Sequence, residues 1–267
     1  MYDSHHASNT NAELVRSASP EAWVGSLESE ALTHRAVCHP YLRALRDGTL
    51  PDPTWALRDF ARQYRGYSVA FPLYLKAVIC RLEDPMHREA LTDNLNEESG
   101  GYGEEELEEL ASIGVDRTWV EGVPHPELFM RFSDAMGVQP SDHVEPMVAC
   151  WRDQLLATLR DGSAAEALGA LGLGTEHIVS TIYQSFVAAC ERDEGLSAQD
   201  AVFFTLHTAI DDDHQETLRQ ISLSYATTDA GRQALRLGMI KALVCRAAFW
   251  DWMHARALHP ERHREEG

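Results

Sequence analysis

His207-Thr208-Ala209-Ile210-Asp211-Asp212-Asp213-His214 is the stretch on which the reading of this 267-residue chain turns. His207, Asp211 and His214 stand at i, i+4 and i+7, so in a helix all three side chains leave from one face. Phe203, Phe204, Ile210, Leu218 and Ile221 flank that face and point it inward. Two imidazoles and a carboxylate turned toward a core are costly to bury without partners, and a bound metal ion removes the cost. Asp212 and Asp213 read as the solvated edge of the same helix. A chain with 13 histidines can also produce such a triplet by chance, so the pattern needs support from elsewhere.

Outward from this stretch the chain reads as helical nearly throughout. Alternating Val/Ile/Thr runs bounded by hairpin turns do not occur. Apolar spacing and cap residues predict a helix opening at Ser19-Pro20 and ending near His39-Pro40, and a short one from Tyr41 to Asp47. A long helix follows Pro51-Asp52-Pro53 and carries Trp55, Phe60, Tyr64, Tyr67, Phe71, Leu75 and Ile79, with a kink at Pro72. Further helices are expected over 85–98, 124–135, 144–159, 164–191, 197–225 and 229–257, with an acidic segment from Glu104 toward Gly114. Ser197 and Asp200 have capping-box spacing at the start of the 197–225 helix. No internal repeat or long linker forces a boundary. The expected organisation is a flexible segment over 1–18, one helical domain over 19–258 and a charged tail over 259–267.

Composition narrows the function classes. A formal charge of −19 without a basic stripe argues against nucleic acid and against an anionic membrane surface. No apolar run approaches the roughly 18 residues that span a bilayer. The start, Met1 to Ser19, has neither a basic nor an apolar signal region. Five scattered cysteines, Cys38, Cys80, Cys150, Cys190 and Cys245, with no Cys-x-x-Cys pair, read as free thiols in a reducing cytoplasm. The expectation is a soluble cytoplasmic enzyme acting on a small or cationic molecule.

Other metal-ligand types lie upstream. Asn94-Leu95-Asn96-Glu97-Glu98-Ser99-Gly100-Gly101 puts two glutamates at the end of an amphipathic helix. His125 opens His125-Pro126-Glu127-Leu128-Phe129-Met130-Arg131-Phe132. Glu176 stands alone in the apolar, glycine-rich Gly172-Leu173-Gly174-Thr175-Glu176-His177-Ile178-Val179. Taken singly, each is more often a surface or capping residue. Taken in order, Asn94-Leu95-x-x-Glu98-x-Gly100, His125-Pro126-x-Leu128-Phe129, Glu176 and His207-x3-Asp211-x2-His214 resemble the ligand series of the haem-oxygenase-like diiron oxidases and oxygenases. The resemblance runs from about Trp55 to His254.

That resemblance implies an all-α, single-domain haem-oxygenase-like bundle with seven core helices. It implies two Fe(II) ions with O2 as co-substrate, held by Glu98, His125, Glu176, His207, Asp211 and His214. Glu97 is the less favoured of its pair because Glu98 holds the Glu-x-Gly position. Members that oxygenate nitrogen carry an additional glutamate shortly before the histidine. Here Val115 stands in that region, with Asp116 and Glu121 nearby as the carboxylates that could serve as an extra ligand. Haem oxygenase itself uses a proximal histidine near its N-terminus, and thiaminase-type relatives use a cysteine nucleophile for which no partner is evident here.

The expected activity is oxidation of a small amino-acid-like substrate by C–H cleavage, giving desaturation, cyclisation or fragmentation in natural-product metabolism. N-oxygenation of an amine or amino acid is the alternative. The Tyr64/Tyr67/Phe71 stripe reads as core rather than a fatty-acid tunnel. Arg81, Arg219, Lys241 and Arg246 could each pair with a substrate carboxylate, although solvation at the surface is the commoner role of any one of them. The competing class is a non-catalytic acidic helical module that binds a partner through the Trp119 segment or the final helix. That helix carries Phe249, Trp250 and Trp252, a stripe that is either core or a homodimer interface.

Overall fold

A computed structural model describes residues 18–139, 144–209 and 212–263. Among them there is no β-strand, and the helices share one continuous apolar core. Several helices open on the same local signal, a polar cap followed by proline. Ser19 Oγ accepts the amide of Ala22 ahead of α1 (Pro20–Thr33), and Asp52 accepts that of Trp55 ahead of α3 (Pro53–Ser68). Asp84 accepts the amide of Met86 ahead of α5 (Pro85–Glu97). Proline fits there because the first amides of a helix have no internal acceptor.

The first expected helix ends early, at Thr33. Buried His39 instead caps the separate α2 (Pro40–Asp47), its Nδ1 accepting the amide of Tyr41 at 3.1 Å. Pro72 breaks the long helix rather than kinking it. Helix α3 stops at Ser68 and α4 (Phe71–Ile79) begins two residues beyond Val69. A proline at 72 has no amide to give the Ser68 carbonyl and crowds it, so the turn opens. Helices α6 (Glu104–Ser112), α7 (Arg117–Val120), α8 (His125–Ala135) and α9 (Pro146–Asp161) follow.

The stretch expected as one helix over 164–191 has three parts. They are α10 (Ala164–Leu168), a π-helical segment from Gly169 to Glu176, and α11 (His177–Cys190). The wide segment lies backbone-to-backbone on the 30-residue α14 (Asp229–Leu258). A Cβ added at Gly169 would overlap the carbonyl of Leu235, and one at Gly238 would overlap that of Glu166. Glycine is needed at both because no side chain fits between the two helices.

Ser197 and Asp200 do exchange cap bonds, Ser197 N to Asp200 Oδ2 at 3.1 Å and Asp200 N to Ser197 Oγ at 3.2 Å. They close a turn ahead of the helix, for the first helical residue is Val202. Helix α12 covers Val202–Ala209 and α13 covers Asp212–Tyr225.

The core is densely aromatic. Phe60 stacks on Tyr64 with ring centroids 4.8 Å apart and meets Phe186 at 4.0 Å. Phe249 and Trp250 are fully buried, so the final-helix stripe is core at those positions and gives no partner surface. No helix among the described residues is long and apolar enough to cross a membrane.

Candidate metal centre

Five of the six expected ligands are described, and all five are buried: Glu98, His125, Glu176, His207 and His214. They come from five different elements. Glu98 caps the end of α5, His125 opens α8, Glu176 ends the π-helical segment, His207 lies on α12 and His214 on α13. Asp211, the sixth, lies outside the described residues.

Glu98 and His125 are brought together by backbone. The amide of His125 donates to the Glu98 carbonyl at 3.0 Å, and that of Gly122 donates to the Gly100 carbonyl at 2.9 Å. Gly100 permits this with φ of +89°, and a Cβ there would stand 2.5 Å from the amide nitrogen of Val123. The Glu-x-Gly spacing is therefore a geometric requirement: the glycine folds the chain back so that His125 reaches Glu98.

One ligand atom each from Glu98, His125 and His207 lies within 4.8 Å of the others. The His125 and His207 rings meet edge to face, 4.8 Å between centroids. His214 joins them with Nδ1 4.0 Å from Glu98 Oε1. Glu176 lines the same cavity as Glu98, His125 and His207.

Each histidine ring is oriented by a partner at one of its nitrogens. His207 Nδ1 donates to the Phe203 carbonyl at 2.6 Å; a carbonyl only accepts, so Nε2 of this ring is the lone pair. His125 Nε2 lies 2.6 Å from the Tyr102 hydroxyl. His214 Nε2 is bonded to the Glu97 carboxylate. Carbonyl, phenol and carboxylate are the partner types that orient metal-binding imidazoles and fix their tautomers.

His125 provides the fit test for a metal. Its Nε2 is paired with the Tyr102 hydroxyl, and its buried Nδ1 stands 3.1 Å from Glu98 Oε2 without a hydrogen bond between them. An imidazole nitrogen and a carboxylate oxygen so placed are positioned as two donors to one cation. The donor set of imidazoles and carboxylates suits a ferrous ion. The residues present fit a metal.

The electrostatics agree. Burial pushes the Glu98 carboxyl up, but the adjacent His125 ring, together with His207 and His214, overcomes that and holds it at about 2. Burial pushes Glu176 up to about 8, helped by the charge of Glu98 and opposed by His214 and Arg246. Burial and then His125 drive His207 down to about 3, so it stays neutral and able to ligate. At neutral pH the metal-free centre thus holds a proton on Glu176, which a bound cation displaces.

Tyr102 and Glu97 were not singled out as site residues by sequence. Tyr102 has no motif spacing. Glu97 was passed over in favour of its neighbour, and the two divide the work: Glu98 faces the three rings while Glu97 holds one of them from behind. Asp116 and Glu121, the candidate extra carboxylates, are exposed and engaged elsewhere. Asp116 caps α7 through the Thr118 amide at 2.8 Å, and Glu121 pairs with Arg117 at 2.6 Å.

Replacing either supporting group tests this arrangement. Tyr102→Phe and Glu97→Gln are expected to weaken ferrous-ion affinity by about 10- to 100-fold each while leaving helicity unchanged. Competition with a chelator under anaerobic conditions measures it, and wild-type affinity in both variants would contradict the supporting roles.

A small cavity of about 30 Å³ lies beside the cluster. Tyr64, Tyr67, Phe71, Val179, Tyr183 and Phe203 supply its apolar wall, so the tyrosine stripe is both core and cavity lining. No cysteine lines it, and burial pushes the thiol of Cys190 up to about 12. That leaves no activated thiol for cysteine-nucleophile chemistry at this cavity.

Residues 58–247 match the family model for iron-containing redox enzymes. The chain belongs to that family. Solved structures with the same fold include a CADD-like protein of unknown function from Nostoc punctiforme, with a TM-score of 0.69 at 14% identity over 91% of this chain and 97% of that one. A TenA homologue from Pseudomonas syringae pv. tomato superposes with a TM-score of 0.64 at 15% identity, covering 88% and 93% of the two chains. A domain of unknown function with a heme oxygenase-like fold from Shewanella denitrificans gives 0.59 at 19% identity, covering 89% and 91%. At such identities the likeness establishes the fold alone: this redox enzyme is an all-α, haem-oxygenase-like bundle. No curated protein matches the sequence.

Proposed function

We propose that this iron-containing redox enzyme is an O2-dependent diiron oxidase of a small, amino-acid-like substrate. The observation that carries the reading is the convergence of Glu98, His125, Glu176 and His207 on one cavity, with His214 beside Glu98 and each ring oriented by a partner at one nitrogen. With Asp211 as the remaining ligand, two Fe(II) ions would be held by three carboxylates and three imidazoles, a donor count typical of carboxylate-bridged dinuclear sites in helical bundles. When bound, the metal pair supplies the means of activating O2 for oxidation of an unactivated C–H bond.

The chain's own residues do the rest. The π-helical segment and α14 place Glu176 by close backbone packing, and Tyr102, Glu97 and the Phe203 carbonyl fix the three rings. The aromatic wall and the small volume of the cavity, about 30 Å³, favour a small substrate. Tyr64 and Tyr183 share a hydrogen bond at 2.9 Å and close one side of it. C–H cleavage is favoured over N-oxygenation because Val115 is buried where N-oxygenating relatives carry an extra glutamate, and its acidic neighbours face solvent.

Anaerobic Fe(II) loading is expected to give about two irons per chain. Exposure to O2 with a panel of amino acids should then yield a product two mass units lighter than its substrate, read by mass spectrometry. Added oxygen in the product would favour N-oxygenation instead. A chain that takes up no iron would remove the oxidase reading altogether.

A further inference from the structure

Arg246 lies on α14 with 1% of its surface exposed and lines the same cavity as Glu98, His125, Glu176 and His207. Its Nη2 donates to the Tyr67 hydroxyl at 3.0 Å, and its guanidinium stands 5.4 Å from the Tyr67 ring and 5.3 Å from that of Trp151. Nε and Nη1 are buried and meet no acceptor. No carboxylate forms an ion pair with it among the described residues.

Other buried arginines in this chain are treated differently. Arg256, further along the same helix, is matched by Asp59, with Nε and Nη2 donating to its two oxygens at 2.8 and 2.9 Å. Arg232 donates to the carbonyls of Ala226 and Ala18, both at 2.7 Å. The fold gives each of these two a pair of oxygen acceptors from carboxylate or carbonyl groups, and gives Arg246 the Tyr67 hydroxyl with Nε and Nη1 left without one. A buried guanidinium without a counter-anion is costly, and ring faces offset only part of that cost. An unmatched cation beside a cavity is the arrangement expected where the missing anion arrives with a ligand.

We propose that Arg246 is the anchor for the substrate's carboxylate, holding the acid end of the molecule so that its carbon chain lies against the metal-ligand cluster. The proposal rests on reading that cluster as a metal centre and the cavity as its substrate chamber. A monoanion fits better than a phosphate, since one arginine faces a cavity that already contains the carboxyls of Glu98 and Glu176. A guanidinium also suits a carboxylate better than a lysine would, because its planar donors are fixed in direction.

The test is isothermal titration of the anaerobic Fe(II)-loaded full chain with L-amino acids and with their carboxamides. At least one acid should bind about 10- to 100-fold tighter than its amide, the range expected for a charge-assisted hydrogen bond. Arg246→Gln should erase that preference while keeping about two irons per chain and wild-type helicity. If Arg246→Gln fails to fold, Arg246→Lys carries the comparison, with the preference expected to fall about tenfold as direction is lost. A preference unchanged in the folded variant, or a wild type that binds no acid better than its amide, overturns the assignment. Iron content is read separately: a wild type that takes no iron removes the metal-centre reading, and the same titration on the metal-free chain still reports on Arg246.

Discussion

Glu98→Gln is expected to reduce iron from about two per chain to below about a tenth of that, with helicity retained. The substitution preserves shape and removes only the charge. Glu98 stands 3.1 Å from Nδ1 of His125 and 4.0 Å from Nδ1 of His214, and it shares a ligand cluster with His207. Without it the proposed ligand set loses one of its three carboxylates, the one that stands beside two of the rings, and a divalent ion binds far more weakly. The metal-free variant should be less stable than the metal-free parent at neutral pH, because against the push of burial the rings hold the Glu98 carboxyl at about 2, below its ordinary range, and that stabilisation of the charge is lost in the amide. Metal analysis after anaerobic loading decides the matter. Wild-type iron content in a folded Glu98→Gln protein would remove Glu98 from the ligand set and take the proposed centre with it.

Gly238→Ala should lower the melting temperature by about 6 to 12 °C, corresponding to a loss of about 3 kcal/mol. Helix propensity alone predicts the opposite sign, since alanine is favoured over glycine inside a helix by about 1 kcal/mol. The contact decides. A Cβ at 238 would overlap the Glu166 carbonyl and come within 2.9 Å of the Ala170 amide nitrogen, and both are backbone atoms that cannot rotate aside. Helix α14 must then lift from the π-helical segment, which carries Glu176 at its far end, so ferrous affinity should fall as well. Gly25→Ala in α1 is the control. The nearest atom to its Cβ is the mobile Glu28 carboxylate at 3.8 Å, so this change should be neutral or stabilising. Equal melting temperatures for the two variants, read by circular dichroism, would show that the packing at 238 is looser than described here.

Much of the candidate centre was legible because its parts are chemically conspicuous. A carboxylate or imidazole on an apolar helical face is costly unless something binds it, and the His207, Asp211 and His214 triplet stands out in that way, whereas Glu98, His125 and Glu176 stand out only through the ordered resemblance. Their supports are less visible. Tyr102 is an ordinary aromatic in a loop, and Glu97 is the less favoured of its pair because Glu98 holds the Glu-x-Gly position. Arg246 was one of four cations with nothing to separate them. In the folded chain Arg81 is exposed, Arg219 pairs with Glu28 at 3.1 Å and Lys241 with Glu166 at 2.6 Å, which leaves Arg246 alone in facing the cavity. Element ends were also blurred. The break at Pro72 and the turn that delays the helix to Val202 are local, whereas the wide turn at 169–176 is stabilised by glycine contacts with a helix more than sixty positions away.

By itself the sequence determined the all-helical class, the acidic surface balance and the ligand types in their order along the chain. These follow from local spacing and from the high cost of burying polar groups, both of which can be read one helix at a time. Only the tertiary structure decided which nitrogen of each histidine faces the centre, which glutamate stands behind the other and which arginine is left without an anion. Those are matters of distance between segments remote in the chain, and a charge or a lone pair acquires its role only from what stands within a few ångströms of it.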